Sequence, residues 1–223
     1  MILRFLPLDL EIPLAEGSVN VLSVEEPKTF GRMLMELVKA FDGGNGDWML
    51  ANNESEQKIA KNLDVIWNAL FVDLNEKKLV TALYKELEGY VTDELFTEYS
   101  SLNSSAVSLM DKLTMLVPYP LSFDLEGSMS GLLKLYQVQF EDDADSPIER
   151  LMNYLKLSHQ IKRVNGFLAL NLKQFYTEED LHELYEFVEY EKICVLILEG
   201  YHSKALPKEN NWIVDRDLCI LEL

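Results

Sequence analysis

Cysteine is scarce in this 223-residue chain. The two that occur, Cys194 and Cys219, lie in apolar runs and read as small buried hydrophobes, not as a disulfide or a metal pair. Proline is also sparse, at seven residues, while 48% of the chain is apolar, so a sizeable core is available and wholesale disorder is not expected. No apolar run approaches the roughly 18 to 20 residues that span a bilayer. The opening Met1-Ile2-Leu3-Arg4-Phe5 is soon followed by Asp9 and Glu11 and lacks the features of a signal peptide. A cytoplasmic protein without a membrane partner is therefore expected. Cations are outnumbered, 20 Lys and Arg against 38 Asp and Glu, for a net charge of -18. That balance favours solubility and argues against a surface coated in nucleic acid or anionic lipid, although the cations present could still line one groove.

Catalytic signatures are missing as well. The phosphate-cradling pattern of two glycines followed by Lys and Ser or Thr does not occur, and no G-x-G-x-x-G follows a strand pattern. The run Asp42-Gly43-Gly44-Asn45-Gly46-Asp47 comes after a helix pattern and reads as a C-cap and loop. The three histidines, His159, His182 and His202, are dispersed and fall in no zinc-binding spacing. There is no G-x-S-x-G, and a thiolate at Cys194 would be buried in mid-strand. ATP hydrolysis and nucleophilic catalysis are not expected. A nuclease built on scattered carboxylates leaves little sequence trace and stays as a minor alternative.

What is present is α/β patterning. Ile2–Leu8 and Val19–Val24 read as strands, and Glu25-Glu26-Pro27 opens a helix with a buried face at Phe30, Met33, Leu34, Leu37, Val38 and Phe41. Trp48–Ala51 and Val65–Phe71 read as further strands. Asn75 is positioned to cap a helix carrying Leu79, Val80, Leu83 and Leu87, and a second helical stretch, 93–116, is expected to break near Asn103-Ser104-Ser105. Strand-like Leu121–Leu125, a short helix near Ser130–Tyr136 and strand-like Val138–Phe140 follow. Ser146-Pro147-Ile148-Glu149 is a capping box with proline at the first helical position. Phe167–Leu172, a helix capped by Thr177, and the apolar run Ile193–Leu198 form strand, helix, strand, which implies a parallel sheet; Leu218–Leu223 reads as another such run. The expected organisation is an α/β head, residues 1–74 plus 164–223, with a mainly helical leg, residues 75–163, inserted into it.

Two groups of charged residues stand out. Asp124 and Glu126 alternate on a strand-like segment, and Glu141, Asp142, Asp143 and Asp145 follow a second one; oxygen-rich loops of this kind suit calcium, but neither group is an EF-hand. In an acidic chain, solvated surface is the leading reading of such loops. Lys156, Lys162 and Arg163 gather near one helix end, with Lys134 and Arg150 near in sequence; complementarity to the helix dipole explains Lys162 and Arg163 better than Lys134 and Lys156.

Several segments resemble one family over nearly the whole chain. The opening L-x-L-E-I-P-L-x-x-G-S-V-N-V-L-x-V-E-x-P (Leu8 to Pro27), W-N-A-L-F-V-D-L-N (Trp67 to Asn75), F-L-A-L-N-L-K-Q-F-Y-T-E-E-D-L (Phe167 to Leu181) and I-C-V-L-I-L-E (Ile193 to Glu199) resemble the CRISPR-associated Csn-two family, the small accessory adaptation protein of subtype II-A loci. The resemblance implies a P-loop-ATPase-like head with a parallel sheet core, lacking the nucleotide motif, and an α-helical leg. It implies a homotetrameric ring, without enzymatic activity, that binds the ends of linear double-stranded DNA irrespective of sequence during spacer acquisition in antiviral defence. It further implies calcium near the head–leg hinge, and as partners the spacer integrase complex and the RNA-guided effector nuclease of the same locus. Carried onto this chain, the calcium ligands are expected at Asp124, Glu126, Glu141 and Asp142, which moves the preferred reading from solvated to metal. The DNA-binding residues are expected at Lys134, Lys156, Lys162 and Arg163, a basic lumen in an acidic ring. The alternative is a degenerate P-loop-like interaction scaffold with no direct DNA role.

Overall fold

The computed structural model describes residues 1–44, 46–52 and 55–223, and the chain divides into two units, Met1–Leu74 with Asp142–Leu223, and Asn75–Glu141.

In the first unit the chain runs through β1 (Ile2–Phe5), β2 (Leu10–Pro13), β3 (Val19–Val24), α1 (Pro27–Phe41), β4 (Trp48–Asn52), β5 (Ser55–Gln57), a short α2 (Ile59–Asn62) and β6 (Leu63–Ile66). The second unit supplies α3 (Lys77–Asp93), α4 (Phe96–Thr114) and α5 (Met129–Leu135). The first unit resumes with α6 (Pro147–Lys162), β7 (Gly166–Leu170), α7 (Glu178–Tyr190), β8 (Cys194–Glu199), β9 (Glu209–Val214) and β10 (Ile220–Glu222).

The main sheet has the order β10-β9-β3-β8-β7-β6. Its five strands from β9 to β6 are parallel, and β10 pairs antiparallel with β9. Every residue of β3, β7 and β8 is buried, which is why these strands read as unbroken apolar runs: both faces are covered. One face, through Leu22, Leu168, Leu196 and Trp212, joins Met33 and Leu37 of α1 and Leu3, Ile12 and Leu50 of a small antiparallel sheet ordered β2-β1-β4-β5. Trp48 fixes that layer by donating Nε1–H to the Met33 carbonyl (2.8 Å) while its ring lies 4.9 Å from that of Phe5. Each fully buried side chain of this kind contributes about 1.5 to 3 kcal/mol over an exposed one.

Local signals set the helix starts. Glu26 caps α1, accepting from Lys28 N–H (3.1 Å) and Thr29 N–H (2.6 Å). Thr177 and Asp180 close a full capping box on α7. At α6 the box is only half formed: Ser146 Oγ accepts from Glu149 N–H (3.2 Å), but the Glu149 carboxylate reaches one residue further back, to Asp145 N–H (2.7 Å).

In the second unit α3 packs on α4 and α5, and α4 buries none of its own residues. Ser128 caps α5 by accepting from Gly131 N–H (3.1 Å).

Several expectations are corrected. Leu121–Leu125 and Val138–Phe140 are not strands; side chains hold the Leu125 and Val138 carbonyls and both Phe140 backbone groups. Asn103 donates to Leu125 O (2.8 Å) and accepts from Gly127 N–H (2.9 Å), Tyr99 donates to Gly127 O, and Tyr84 donates to Val138 O (3.0 Å). Asn75 does not cap α3; its amide donates to Phe140 O (3.0 Å) and accepts from Phe140 N–H (2.8 Å). Helix α4 runs unbroken through Asn103-Ser104-Ser105, since the Ser104 and Ser105 hydroxyls bond back to the Ser100 and Ser101 carbonyls. Ile2–Leu8 is strand only to Phe5, after which Leu6–Leu8 tightens into a turn, and Asp9, at φ 51°, turns the chain into β2. Val65–Phe71 likewise ends as a strand at Ile66 and turns at Ala69–Phe71, where Asn68 accepts from Leu70 N–H (3.2 Å). Leu218–Leu223 yields only the short, exposed edge strand β10, and Cys219 is exposed while Cys194 is buried. Helix α6, expected in the leg, belongs to the first unit, where it packs on α7 and on the turn at Ala69–Phe71. Of the glycine-rich run after α1, Asn45 lies outside the described residues.

Candidate nucleic-acid interface

The first place to test an α/β sheet for a phosphate ligand is the turn from a central strand into its helix, where backbone N–H groups and the helix dipole favour an anion. Here that turn joins β3 to α1, and the chain's own Glu26 carboxylate holds the free N–H groups. Those hydrogen bonds keep the Glu26 carboxyl below the usual carboxylate range, so it is ionised at neutral pH and repels a phosphate. A nucleotide phosphate does not fit this turn.

The opposite, amino-terminal edge of the sheet has a different character. Strands β6, β7 and β8 begin side by side: Leu63 pairs with Gly166 and Gly166 with Cys194. Asn165 stitches the starts together, donating N–H to Asn62 O (3.2 Å) and accepting from Cys194 N–H (3.0 Å). Beside Asn165 opens a cavity of about 530 Å³ lined by His159, Gln160, Arg163 and Asn165. The His159 ring donates from Nδ1 to Val164 O (2.8 Å), a satisfied, half-buried histidine.

The expected DNA residues take four different situations. Lys162 is largely buried, 13% exposed, with Nζ donating to Asp64 Oδ2 (2.6 Å) and lying 5.7 Å from the Tyr154 ring centre. Tyr154 donates to the same carboxylate oxygen (2.9 Å), so this lysine is part of a structural cluster. Lys156 is exposed and pairs loosely with Glu191 (3.7 Å). Arg163 is exposed and ends α6 in the left-handed region, at φ 59°. Lys134, in the second unit, is exposed in the last turn of α5.

The expected calcium residues are all exposed; Asp124, Glu126 and Glu141 belong to the second unit and Asp142 to the first. Asp124 and Glu126 do not share a strand face, since their segment is irregular and held by Tyr99 and Asn103. Asp142 already accepts from Arg150 Nε (2.9 Å). Among the described residues no group of three or more His, Cys, Asp or Glu side chains comes together to hold a metal ion.

Sequence reasoning missed one buried charged cluster, which links Glu199 at the carboxyl end of β8 to Glu209 at the start of β9. Lys173, 5% exposed, pairs with Glu209, 0% exposed, at 2.8 Å, and Glu209 also accepts from the Tyr185 hydroxyl (2.6 Å). Glu199 ends β8 fully buried; one carboxylate oxygen accepts from Lys173 N–H (2.9 Å) and the other has no partner. Burial pushes its carboxyl up to about 7, against the opposing effect of that N–H and of the Lys173 charge. The only sequence signal was a lone acid closing an apolar run.

The model of the family described as CRISPR-associated protein (Cas_Csn2) matches residues 40–218. The chain belongs to the Csn2 family of CRISPR-associated proteins. A relative from Streptococcus agalactiae, named CRISPR-associated protein Csn2, is 22% identical over 221 residues, covering 95% of this chain and 94% of that protein. Among solved structures, a putative ABC transporter ATP-binding protein from Pyrococcus furiosus matches 91% of this chain and 88% of its own, at 12% identity and a TM-score of 0.38. No helix among the described residues is long and apolar enough to cross a membrane.

Proposed function

We propose that this Csn2-family protein acts in CRISPR spacer acquisition as a non-enzymatic, ring-forming protein that binds the ends of linear double-stranded DNA without sequence preference. Family membership across residues 40–218 is the observation that carries the reading. The exposed Arg163 of the first unit and the exposed Lys134 of the second each suit a DNA backbone in the way point cations do, and the excess of acid elsewhere would confine a duplex to basic patches. A homotetramer, with the spacer integrase complex and the effector nuclease as partners, belongs to the same proposal, as does a cytoplasmic location.

Calcium is part of the proposal as a requirement of the assembly. Asp124, Glu126, Glu141 and Asp142 are the residues that would hold it, and all four are exposed. Gel-shift assays comparing linear with covalently closed circular duplex, each with and without a chelator, test the reading. Binding of linear DNA alone, weakened by the chelator, is expected. Equal binding of both forms would sink end recognition, and indifference to the chelator would remove calcium.

Helix α4 favours a second reading, an interaction scaffold. Its nineteen residues bury none of their side chains within the chain, and Phe96, Leu102 and Leu109 are exposed. A full complex with its protein partners and no affinity for any DNA would support the scaffold over the ring.

A further inference from the structure

We infer that the amino-terminal edge of the main sheet is a cationic rail for one strand of a DNA duplex, built from Lys61, Arg163 and Lys192. The inference rests on the DNA-binding reading and changes which residues carry it.

The placement follows from the topology. Lys61 lies two residues before β6, Arg163 three before β7 and Lys192 two before β8. These three strands are neighbours, and their first residues are in register. Adjacent strands are about 4.8 Å apart, so the first residues of β6, β7 and β8 span roughly 10 Å, and the three cations stand just ahead of them, Lys61 in the last turn of α2. One DNA strand carries a phosphate about every 3.4 Å of helix axis, so that span faces about three of them. All three side chains are exposed, and none takes part in an ion pair among the described residues. Nearby acids are already occupied: Asp64 by Lys162, Glu191 by Lys156 and Glu189 by Lys208.

The backbone adds an independent observation. Arg163 and Lys192 sit in the left-handed region, at φ 59° and 56°. The equivalent position before β3 is held by Gly17, at φ 70°. An L side chain in this region costs about 1 kcal/mol or more, and Gly or Asn would fill such a helix end at lower cost. The sequence nevertheless places long cations there. Helix-dipole complementarity accounts for a cation after α7, whose last turn has none, but at α6 Lys162 already supplies one without leaving the helical region. The cavity beside Arg163, with Gln160 and Asn165 on its wall, leaves the guanidinium room to meet a phosphate. Charge, spacing and room favour a polyphosphate backbone over an acidic protein segment, whose carboxylates follow no such regular interval.

The test uses the full-length protein and a linear duplex of about 30 base pairs, with affinity measured across a salt series. The triple variant Lys61→Gln, Arg163→Asn, Lys192→Asn removes the rail while keeping residues that accept the left-handed turn, so folding is preserved. A control triple, Lys77→Gln, Lys78→Gln, Lys112→Gln, removes the same charge from the second unit. The rail variant is expected to bind at least about tenfold more weakly near 0.1 M salt, with a salt slope smaller by about 2 to 3 and a control that changes far less. An unchanged affinity and slope overturn the rail and leave the edge to an acidic protein partner. Equal losses in both triples also overturn it, because net charge alone then explains the effect. If the native protein binds no DNA, the DNA reading itself fails and the rail falls with it.

Discussion

Replacing Glu199 by Gln should flatten the pH dependence of stability and make the protein more stable in mild alkali. Glu199 is fully buried at the end of β8, with one oxygen on Lys173 N–H and the other without a partner. The charges around it are Lys173 and Glu209, already paired to each other, with the Tyr185 hydroxyl on Glu209. Its carboxyl is raised from 4.5 to about 7, with burial the largest cause. The folded state therefore holds this proton more tightly than the unfolded chain does. The stabilisation is complete below pH 4.5 and is lost as the pH rises through about 7. For a shift of that size, the loss between pH 4.5 and pH 8 is about 3 kcal/mol. Glutamine keeps the acceptor for Lys173 N–H and never ionises, but it buries an amide NH₂ whose lack of partners costs about 1 to 3 kcal/mol. The variant should thus be equal to or less stable than the native protein at pH 5, and up to about 2 kcal/mol more stable at pH 8. Urea denaturation at pH 5, 6, 7 and 8 measures this, with Glu209→Gln as the contrasting variant. Loss of the Glu209 charge strands the buried Lys173 and should cost about 3 to 5 kcal/mol at neutral pH. Parallel stability curves for native protein and Glu199→Gln would refute the reasoning.

Three other substitutions probe particular contacts. Thr177→Ala removes the capping box of α7 and should cost about 1 kcal/mol in denaturant titrations, with Thr177→Ser restoring most of it. Asn75→Ala deletes both bonds to the Phe140 backbone and should cost about 1 to 3 kcal/mol, with hydrogen exchange accelerated at Phe140 ahead of the main sheet. Lys162→Met should lower stability by about 2 kcal/mol by unpairing Asp64, yet leave DNA affinity within about twofold, as measured by fluorescence anisotropy; a loss of DNA binding without a loss of stability would return Lys162 to the DNA surface.

The strands legible in the sequence were those buried on both faces. Val19–Val24 and Ile193–Leu198 announce themselves as apolar runs, and the Thr177 and Ser146 caps mark their helices by local chemistry alone. Strand β9 did not, because its first residues, Glu209-Asn210-Asn211, are polar and the parallel pairing with β3 lies far along the chain. The irregular segments of the second unit misled for the converse reason. Leu121–Leu125 has strand-like composition, but its end is held by the Asn103 side chain of α4 on the Leu125 carbonyl, which no periodicity reveals. At the candidate interface, the grouping of Lys156, Lys162 and Arg163 was visible as sequence proximity. Their unequal situations were not: whether a lysine is buried on Asp64 or exposed depends on a residue about a hundred positions away. Lys61 and Lys192 were invisible as neighbours until the register of β6, β7 and β8 brought them to one edge.

The position of β3 sets a timetable for the chain as it is made. This early, wholly buried strand has only two sheet neighbours, β8 and β9, which are among the last strands synthesised. At about 5 to 20 residues per second, Val19–Val24 waits on the order of 10 to 40 seconds without a partner on either edge. During that interval the nascent chain presents an apolar strand with free N–H and C=O groups, the feature that templates aggregation. A chain stopped before Cys194 can never pair it, so premature termination late in the message should give insoluble protein instead of a smaller working head.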